Sequence, residues 1–309
     1  MESKIINIEQ SQQLTALSPD SGSASRIIRV FPRRTNATPI DRYAYIGNPD
    51  LFVEQLEPTE IHISVTFTWD VAEAKRLFKA WGIYGIPVKI GGAAAGSPGG
   101  EFNPGMYLKS GHTITSRGCP NHCWFCMVWR REGDQIRELK INDGWNLLDN
   151  NILACSDSHI NKVFDMLEKQ PKAIEFTGGL EAARLKEWHV QRLARLKLKQ
   201  AFFAYDTPDD YEPLIEAGRL LKKHDMVYRK RGKTNLLNHK LRCYVLIGYK
   251  RDTFEKAEKR LVNTYKAGFL PMAMLYRDEK NEVNKEWRRF QRKWARPAVI
   301  DTVIKHDVT

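Results

Sequence analysis

Three of the five cysteines in the chain lie within eight residues, at positions 119, 123 and 126, in a C-x3-C-x2-C arrangement. Three thiolates on one short loop can bind a single soft metal centre. A structural zinc site needs four ligands, usually from two paired knuckles, and the sequence has no second knuckle. A four-iron, four-sulfur cluster held by Cys119, Cys123 and Cys126 would leave one iron open to another ligand, which is typical of a catalytic centre.

The segment Thr115 to Cys126, which directly follows a predicted strand, resembles the signature of the radical S-adenosylmethionine (radical SAM) enzymes. The resemblance implies a [4Fe-4S] cluster whose open iron binds S-adenosylmethionine. It also implies reductive cleavage of that molecule to a 5′-deoxyadenosyl radical, which abstracts hydrogen from a substrate that the sequence does not identify. Phe125 matches the aromatic position of the family and is expected near the adenine. The expected electron donor is a small carrier such as flavodoxin or ferredoxin.

Two later segments match positions that bind the cofactor in the family. Gly178 and Gly179 follow a predicted strand, like the Gly-Gly-Glu motif whose backbone contacts the methionine amino group. Leu180 stands where the glutamate is usual, so Glu181 is a displaced candidate. Paired glycines at a strand end allow a ligand to approach the backbone, and they also fit a plain turn. Asp206 ends the next strand, where it is expected either to bind the ribose hydroxyls or to cap a helix.

Beyond the cysteines, strands and helices alternate, which is typical of a parallel α/β sheet or barrel. The predicted strands are His112 to Ser116, Ala173 to Thr177, Ala201 to Asp206, Leu241 to Ile247 and Leu270 to Tyr276. The predicted helices are His159 to Glu168, Glu181 to Lys197, Asp210 to Lys223 and Thr253 to Ala267. The resemblance implies a partial (β/α)6 TIM-like barrel over residues 101–280, with its sixth strand expected within 226–239.

A small Rossmann-like βαβ layer is expected over residues 26–100, after a disordered tail at 1–25. Alternating apolar residues predict a strand at 61–67, an apolar stripe predicts a helix after Asp70 with Glu73 completing a capping box, and a second strand follows at 87–90. The glycine-rich stretch 91–100 is interpreted as a linker. The layer distantly resembles the cobalamin-binding domain of some radical SAM proteins, but it lacks their Asp-x-His-x-x-Gly motif, so cobalamin is not expected.

A second class of function fits the same cysteines, namely a non-catalytic metal-binding or nucleic-acid-binding module folded around a structural zinc. The formal net charge of +12 favours acidic partners and keeps RNA among the candidates. In the C-terminal region, residues 281–309, a helix is predicted with Trp287, Phe290 and Trp294 on one face. This helix is expected to dock across the barrel, and stacking on single-stranded RNA is the alternative.

Composition indicates the environment in which the chain works. Its 309 residues, 42% of them hydrophobic, are enough to form a core. The few clustered cysteines do not suit a disulfide framework, which predicts a reducing, cytoplasmic location. No stretch approaches the roughly 18 apolar residues of a membrane span, so no membrane partner is expected. Cys155 and Cys243 are predicted to be buried, although Cys155 could also be a thiol on the substrate side.

Overall fold

The computed structural model describes residues 26–96, 99–231, 234–277, 284–295 and 300, and the expected tail at 1–25 lies outside these ranges. The chain divides into two compact units. The N-terminal unit holds residues up to Ser110 together with Arg130–Gly133, and the C-terminal unit holds Gly111–Trp129 and the chain from Asp134 onward. The division therefore falls after Ser110, whereas the sequence placed the linker at 91–100.

A four-stranded parallel sheet forms the centre of the N-terminal unit. Its strands are β1 (Ile27–Phe31), β2 (Ala44–Ile46), β3 (Glu60–Ser64) and β4 (Val88–Gly91), in the order β2-β1-β3-β4. Helix α1 (Val71–Trp81) joins β3 to β4, so the predicted strand-helix-strand unit is confirmed. Leu77 and Trp81 of this helix are fully buried in one core with Ile61 and Ile63 of β3. Burial of each such side chain stabilises the fold by about 2 kcal/mol.

Helix α1 begins without the predicted capping box. The Asp70 carboxylate makes no cap hydrogen bond and instead binds the Arg33 guanidinium through both oxygens, with Nε to Oδ2 at 2.7 Å. Glu73 pairs with Arg76, three residues along the helix, at 2.6 Å. The capping-box prediction is wrong because guanidinium groups compete with the backbone for both carboxylates, and charge-assisted hydrogen bonds are about twice as strong as neutral ones.

The C-terminal unit contains a six-stranded parallel sheet. The strands of this unit are β5 (His112–Thr113), β6 (Ser116–Arg117), β7 (Arg137–Glu138), β8 (Asn146–Leu147), β9 (Ile174–Phe176), β10 (Leu198–Ala204), β11 (Tyr228–Arg231), β12 (Thr234–Leu237), β13 (Leu241–Ile247) and β14 (Leu270–Leu275). The sheet order is β5-β8-β9-β10-β13-β14. Spatial order follows chain order without reversal, which is the winding of TIM-type barrels and not that of doubly wound sheets.

Helices connect the parallel strands of this sheet. The helices after α1 are α2 (Val128–Arg131), α3 (Asp157–Glu168), α4 (Glu187–Arg195), α5 (Tyr211–Lys223), α6 (Phe254–Lys266) and α7 (Lys285–Lys293). Helices α3 to α6 each lie between two strands of the sheet, and they bury apolar side chains in one core with Phe176, Phe203 and Val245 of the strands. The predicted α/β class with parallel sheets is therefore confirmed.

Two predictions about this unit are wrong. The sixth strand is β8, at Asn146–Leu147, whereas the region 226–239 contains the antiparallel hairpin of β11 and β12. A strand of two residues is too short to produce a recognisable period. The helix expected from Glu181 begins at Glu187, because the residues Ala182–Arg184 form a separate 3-10 turn.

Helix α7 uses its aromatic face for packing. The ring of Trp287 lies 4.4 Å and that of Phe290 lies 5.4 Å from the ring of Phe254 on α6. Trp294, just after the helix, is 1% exposed. The aromatic face of α7 therefore packs on α6. Docking across a barrel stays a prediction.

Candidate metal centre

The candidate residues gather at one edge of the six-stranded sheet. All six strands are parallel, so their carboxyl ends share this edge, which is where parallel sheets bind ligands. The segments found there are the cysteine loop after β5 and β6, residues 149–151 after β8, Gly178 and Gly179 after β9, Asp206 after β10, Gly248 and Tyr249 after β13, and Tyr276 after β14. The fold thus brings the predicted site residues to a common edge.

The cysteine loop is an irregular segment organised by its own backbone. Gly118, just before the first cysteine, has a φ of 87°, which glycine adopts without strain. The Cys126 N–H donates to the Cys123 carbonyl oxygen at 3.1 Å, and the Val128 N–H donates to the Cys126 sulfur at 3.5 Å. Hydrogen bonds donated to sulfur favour the thiolate, which is the form that binds metals.

The three thiols lie within electrostatic range of one another. Burial, followed by the neighbouring thiols of Cys126 and Cys119, raises the pKa of Cys123 to about 11. In the part of the chain that the structure describes, no three His, Cys, Asp or Glu side chains already surround a common metal position. Metal binding to these thiols would therefore displace protons and draw the side chains together.

The loop contains one further side chain of a type that commonly binds metals, a histidine. Its histidine, His122, is exposed and lies 3.3 Å from the Asp134 carboxylate, with its ring against Trp129. The donor set is thus three soft thiols on one loop. This set fits an iron–sulfur cluster with one open iron better than a closed zinc site.

Consecutive polar residues after β8 hold the segment that leads into the cysteine loop. Asp149 is 1% exposed, and its carboxylate accepts hydrogen bonds at 2.6–2.7 Å from the Thr115 N–H, the Thr115 hydroxyl and the Ser116 hydroxyl. Asn150 accepts the Gly118 N–H at 3.1 Å. Burial raises the pKa of Asp149 to about 6, although these hydrogen bonds act in the opposite direction. No motif in the sequence points to this role, since the partners lie more than thirty residues apart.

Asn151 connects the first cysteine to the displaced glutamate. Its Nδ2 donates to the Cys119 sulfur at 3.7 Å and to Glu181 Oε2 at 2.5 Å. A flipped amide would direct Oδ1 at these two acceptors, so the neighbours fix its orientation. Among the described residues Oδ1 is buried without a hydrogen-bond partner. Leaving such an atom unpaired costs about 1–3 kcal/mol, and it marks a position where the donor group of a ligand would be stabilised.

The two glycines after β9 are required for different reasons. A Cβ on Gly178 would lie 2.2 Å from the Asp149 carbonyl oxygen, so only glycine lets this turn pack on the segment after β8. Gly179 has a φ of 98°, and a Cβ there would make only an ordinary contact, 3.9 Å from the Phe202 carbonyl oxygen. The turn that they form carries Glu181 to Asn151. The glycine pair therefore places backbone and a carboxylate beside the cysteine loop.

Asp206 lies two residues beyond β10, which ends at Ala204, whereas the strand was predicted to run to Asp206. Its Oδ1 accepts the Leu246 N–H of β13 at 3.0 Å, and burial, followed by the Asp210 carboxylate, raises its pKa to about 7. The helix-capping alternative is wrong, because Thr207 and Asp210 form the capping box at this position. Among the described residues Oδ2 has no hydrogen-bond partner, so this oxygen can accept a hydrogen bond from a ligand hydroxyl.

Four aromatic rings form a cluster around the cysteine loop. Phe125 is half-buried, with its ring 5.3 Å from that of Trp124. Trp124 is 52% exposed, and its ring also lies 5.5 Å from Tyr249 and 5.6 Å from Tyr276. The predicted aromatic residue thus belongs to a larger apolar surface at the site. The position of both tyrosines just after strands is the sequence signal that could have identified them.

The remaining two cysteines are buried, as predicted. Cys243 is 0% exposed and Cys155 is 9% exposed. Burial raises the pKa of both thiols, that of Cys155 to about 12. Burial therefore disfavours the reactive thiolate form of both side chains.

Within the described ranges, no helix has both the length and the apolar character that crossing a membrane requires. Comparison of the chain with models of known protein families and with curated proteins finds no match.

Proposed function

We propose that the chain is a radical SAM enzyme whose cluster is bound by Cys119, Cys123 and Cys126. The observation that carries this proposal is a loop with three thiols, set at the carboxyl edge of a singly wound six-stranded parallel sheet. We further infer that this sheet curves into a partial barrel, since its strand order is that of TIM-type barrels. A [4Fe-4S] cluster together with S-adenosylmethionine would supply reductive cleavage of the sulfonium C–S bond, yielding methionine and a 5′-deoxyadenosyl radical.

The residues around the loop fit the cofactor. Asn151 Oδ1 is a buried acceptor without a donor, and Glu181 places a carboxylate beside it. Together they suit the amino group of the methionine part. Asp206 Oδ2 suits a ribose hydroxyl, and the ring of Phe125 suits the adenine face.

Other residues keep this edge in place. Asp149 fixes the start of the cysteine loop through three hydrogen bonds, and Gly178 brings the next turn into contact with it. Asn151 donates to the Cys119 sulfur, and hydrogen bonds to ligand sulfurs tune the potential of iron–sulfur centres. These are positioning roles, and hydrogen abstraction from the substrate is not assigned to any side chain. The proposed partners are a reductant such as flavodoxin or ferredoxin and an unidentified substrate, with RNA a candidate because of the net charge of +12.

The test is anaerobic reconstitution of the full chain with iron and sulfide, followed by S-adenosylmethionine and dithionite. The proposal expects about four irons per chain with acid-labile sulfide, and formation of 5′-deoxyadenosine. Cys126→Ala is expected to lose both. Cys155→Ala, which removes a buried thiol outside the loop, is the matched control and is expected to keep both.

Two results would refute the proposal. One is about one zinc per chain without sulfide, which favours the non-catalytic module. The other is a fully loaded cluster that forms no 5′-deoxyadenosine. Activity that survives in Cys126→Ala would contradict the ligand assignment.

A further inference from the structure

The parallel sheet of the N-terminal unit has a topological switch point. Its order is β2-β1-β3-β4, so the chain moves from β1 to β2 on one side and returns to place β3 and β4 on the other side. Open parallel sheets bind ligands outside the carboxyl ends of the strands, at the point where the order reverses. In this unit that point lies between the ends of β1 and β3.

A cleft lies at this switch point. It is a shallow groove, open to solvent, and it is lined by residues that end or follow β1 and β3, with Tyr107 completing it. Topology and surface shape therefore point to the same place.

Arg33 supplies positive charge in the cleft. The Asp70 carboxylate accepts one hydrogen bond from Arg33 Nε and one from Arg33 Nη2. These bonds use two of the five N–H donors of the guanidinium. The Asp70 side chain is 5% exposed, whereas the Arg33 side chain is 53% exposed. The buried carboxylate thus fixes the guanidinium in one orientation and leaves its remaining donors toward solvent, where they suit the oxygens of an anion.

Hydroxyl groups line the rest of the cleft. Ser64, the last residue of β3, is 8% exposed, and its hydroxyl has no hydrogen-bond partner among the described residues. Across from it, the Thr35 and Thr38 hydroxyls lie 3.0 Å apart in the turn after β1. Asp70 is the one acidic side chain in the lining, and Arg33 neutralises it. The guanidinium donors that Asp70 does not use, together with these hydroxyl donors, are suited to phosphate oxygens.

We propose that the N-terminal unit binds a small phosphate-bearing ligand in this cleft, with Arg33 as its charged contact and Ser64 and Thr35 as hydroxyl donors. The N-terminus of α1 strengthens the site. This helix has 11 residues and starts directly after Asp70. Its dipole favours an anion at that end. The proposal does not depend on the cysteine loop.

The experiment is calorimetric titration of the full chain, at fixed ionic strength, with inorganic phosphate and separately with AMP. Saturable binding of either is expected, and the tighter of the two distinguishes free phosphate from a phosphate ester. Arg33→Ala is expected to weaken binding about tenfold or more. Arg34→Ala removes an exposed neighbouring charge that does not line the cleft and is expected to stay within about twofold.

Ser64→Ala is a second test in case Arg33→Ala does not fold, because it leaves the ion pair of Arg33 and Asp70 intact. It is expected to weaken binding severalfold without lowering the melting temperature. No saturable binding of either probe would overturn the proposal, and so would equal losses in the two arginine variants, which would indicate general attraction to a basic chain. Cys126→Ala is expected to bind as the wild type does, so this proposal and the proposed enzyme activity can fail separately.

Discussion

In each of the two parallel sheets, one strand is followed in the chain by an aspartate whose carboxylate is buried. The two carboxylates bind different kinds of partner. Asp70, after β3 in the N-terminal unit, is 4% exposed and binds the guanidinium of Arg33. Asp149, after β8 in the C-terminal unit, is 1% exposed and binds one backbone N–H and two hydroxyls. Neutral donors offset only part of the cost of burying the charge, so the pKa of Asp149 is still raised to about 6.

The contrast extends to the ligands that each edge can stabilise. The edge of the C-terminal unit collects acids whose charged forms are disfavoured by burial: Asp149, Asp206 and the thiol of Cys123. A cationic centre would stabilise the ionised forms of such groups. The edge of the N-terminal unit presents Arg33 and hydroxyls, which stabilise anions. One construction, a parallel sheet with residues at its carboxyl end, thus produces two sites of opposite preference.

The largest effect is expected from Asp149→Ala. The change leaves the Thr115 N–H, the Thr115 hydroxyl and the Ser116 hydroxyl without their acceptor in a dry environment. Because each stranded donor costs roughly 1–3 kcal/mol, the free energy of unfolding should fall by about 4 kcal/mol. Urea denaturation measures it. The exposed Asp143→Ala is the control and should change stability by about 0.5 kcal/mol or less. A comparable loss of stability in both variants would contradict the claim that the three hydrogen bonds to Asp149 stabilise the fold.

Asp149→Asn separates the charge of this side chain from its shape. Its folded-state pKa of about 6 lies above the ordinary 3.8, so folding favours the protonated acid. The stabilising contribution is full below pH 3.8 and is lost as the pH rises through 6, by about 3 kcal/mol in all. His189 acts in the opposite direction, because burial lowers its pKa to about 4. Its contribution cancels when the two proteins are compared.

The measurement is the unfolding free energy of wild type and Asp149→Asn between pH 4 and pH 7. The wild type is expected to lose about 2.4 kcal/mol relative to the variant over this range, because part of the loss has already occurred at pH 4. A difference that stays constant with pH would mean that Asp149 keeps its charge when folded. The neutral donors around Asp149 would then be enough to keep its carboxylate charged, and the different partners of Asp149 and Asp70 would not matter for charge.

Asn151→Leu tests the cofactor side of the same edge. Leucine keeps the size of the side chain but removes the donor to Cys119 and the buried acceptor. Groups that orient ligands typically contribute 10–100-fold, so 5′-deoxyadenosine formation should fall by roughly that factor while the iron content persists. Asn161→Leu, on helix α3, is the control. Iron lost along with activity would instead make Asn151 a support for the cluster alone.

The glycine pair offers a smaller contrast. Gly178→Ala would force a Cβ to within 2.2 Å of a backbone oxygen, which cannot move without shifting the segment after β8. Overpacking of this kind costs about 2 kcal/mol. In Gly179→Ala the added Cβ makes only an ordinary contact at 3.9 Å, so the cost of about 1 kcal/mol comes from the φ of 98°. The melting temperature of Gly178→Ala should therefore be lower than that of Gly179→Ala. The reverse order would contradict the packing role given to Gly178.

Sequence periodicity predicted the long elements and failed at the short ones. Strand β13 has seven residues of mostly apolar character and occurs at its predicted bounds, Leu241–Ile247. Strand β8 has two residues, and its place in the sheet depends on parallel pairing with β5 and β9, which no local pattern encodes. Strands β1 and β2 were not predicted either, so the switch point of the N-terminal sheet became visible only from its strand order.

The candidate site divides in the same way. Close spacing identified the three cysteines, because ligands on one loop are neighbours in sequence. Asn151 lies 32 residues from Cys119 and 30 from Glu181, and the fold alone brings them together. The glycine pair was recognisable as a turn, but its contact with the Asp149 backbone could not be derived from either segment separately.

The smallest effect is expected from Tyr107→Phe in the N-terminal unit. His62 is 1% exposed, with Nδ1 at 2.6 Å from the Tyr107 hydroxyl and Nε2 at 2.6 Å from Glu60 Oε2. Burial lowers the pKa of His62, so the ring is neutral at pH 7, donating to Glu60 through Nε2 and accepting from Tyr107 at Nδ1. Phenylalanine keeps the ring and leaves Nδ1 without its donor.

Loss of this one neutral hydrogen bond should lower the unfolding free energy of the Tyr107→Phe variant by about 1 kcal/mol, as measured in urea. Tyr84→Phe, whose hydroxyl bonds an exposed carbonyl at 3.3 Å, is the matched control and should be nearly silent. The pair of Arg33 and Asp70 does not involve Tyr107, so stability in this unit is spread over separate contacts. A loss near 4 kcal/mol would equal that expected for Asp149→Ala and would contradict the difference between the units. The stability of each unit would then depend strongly on one buried acceptor, His62 Nδ1 in the N-terminal unit and the Asp149 carboxylate in the C-terminal unit.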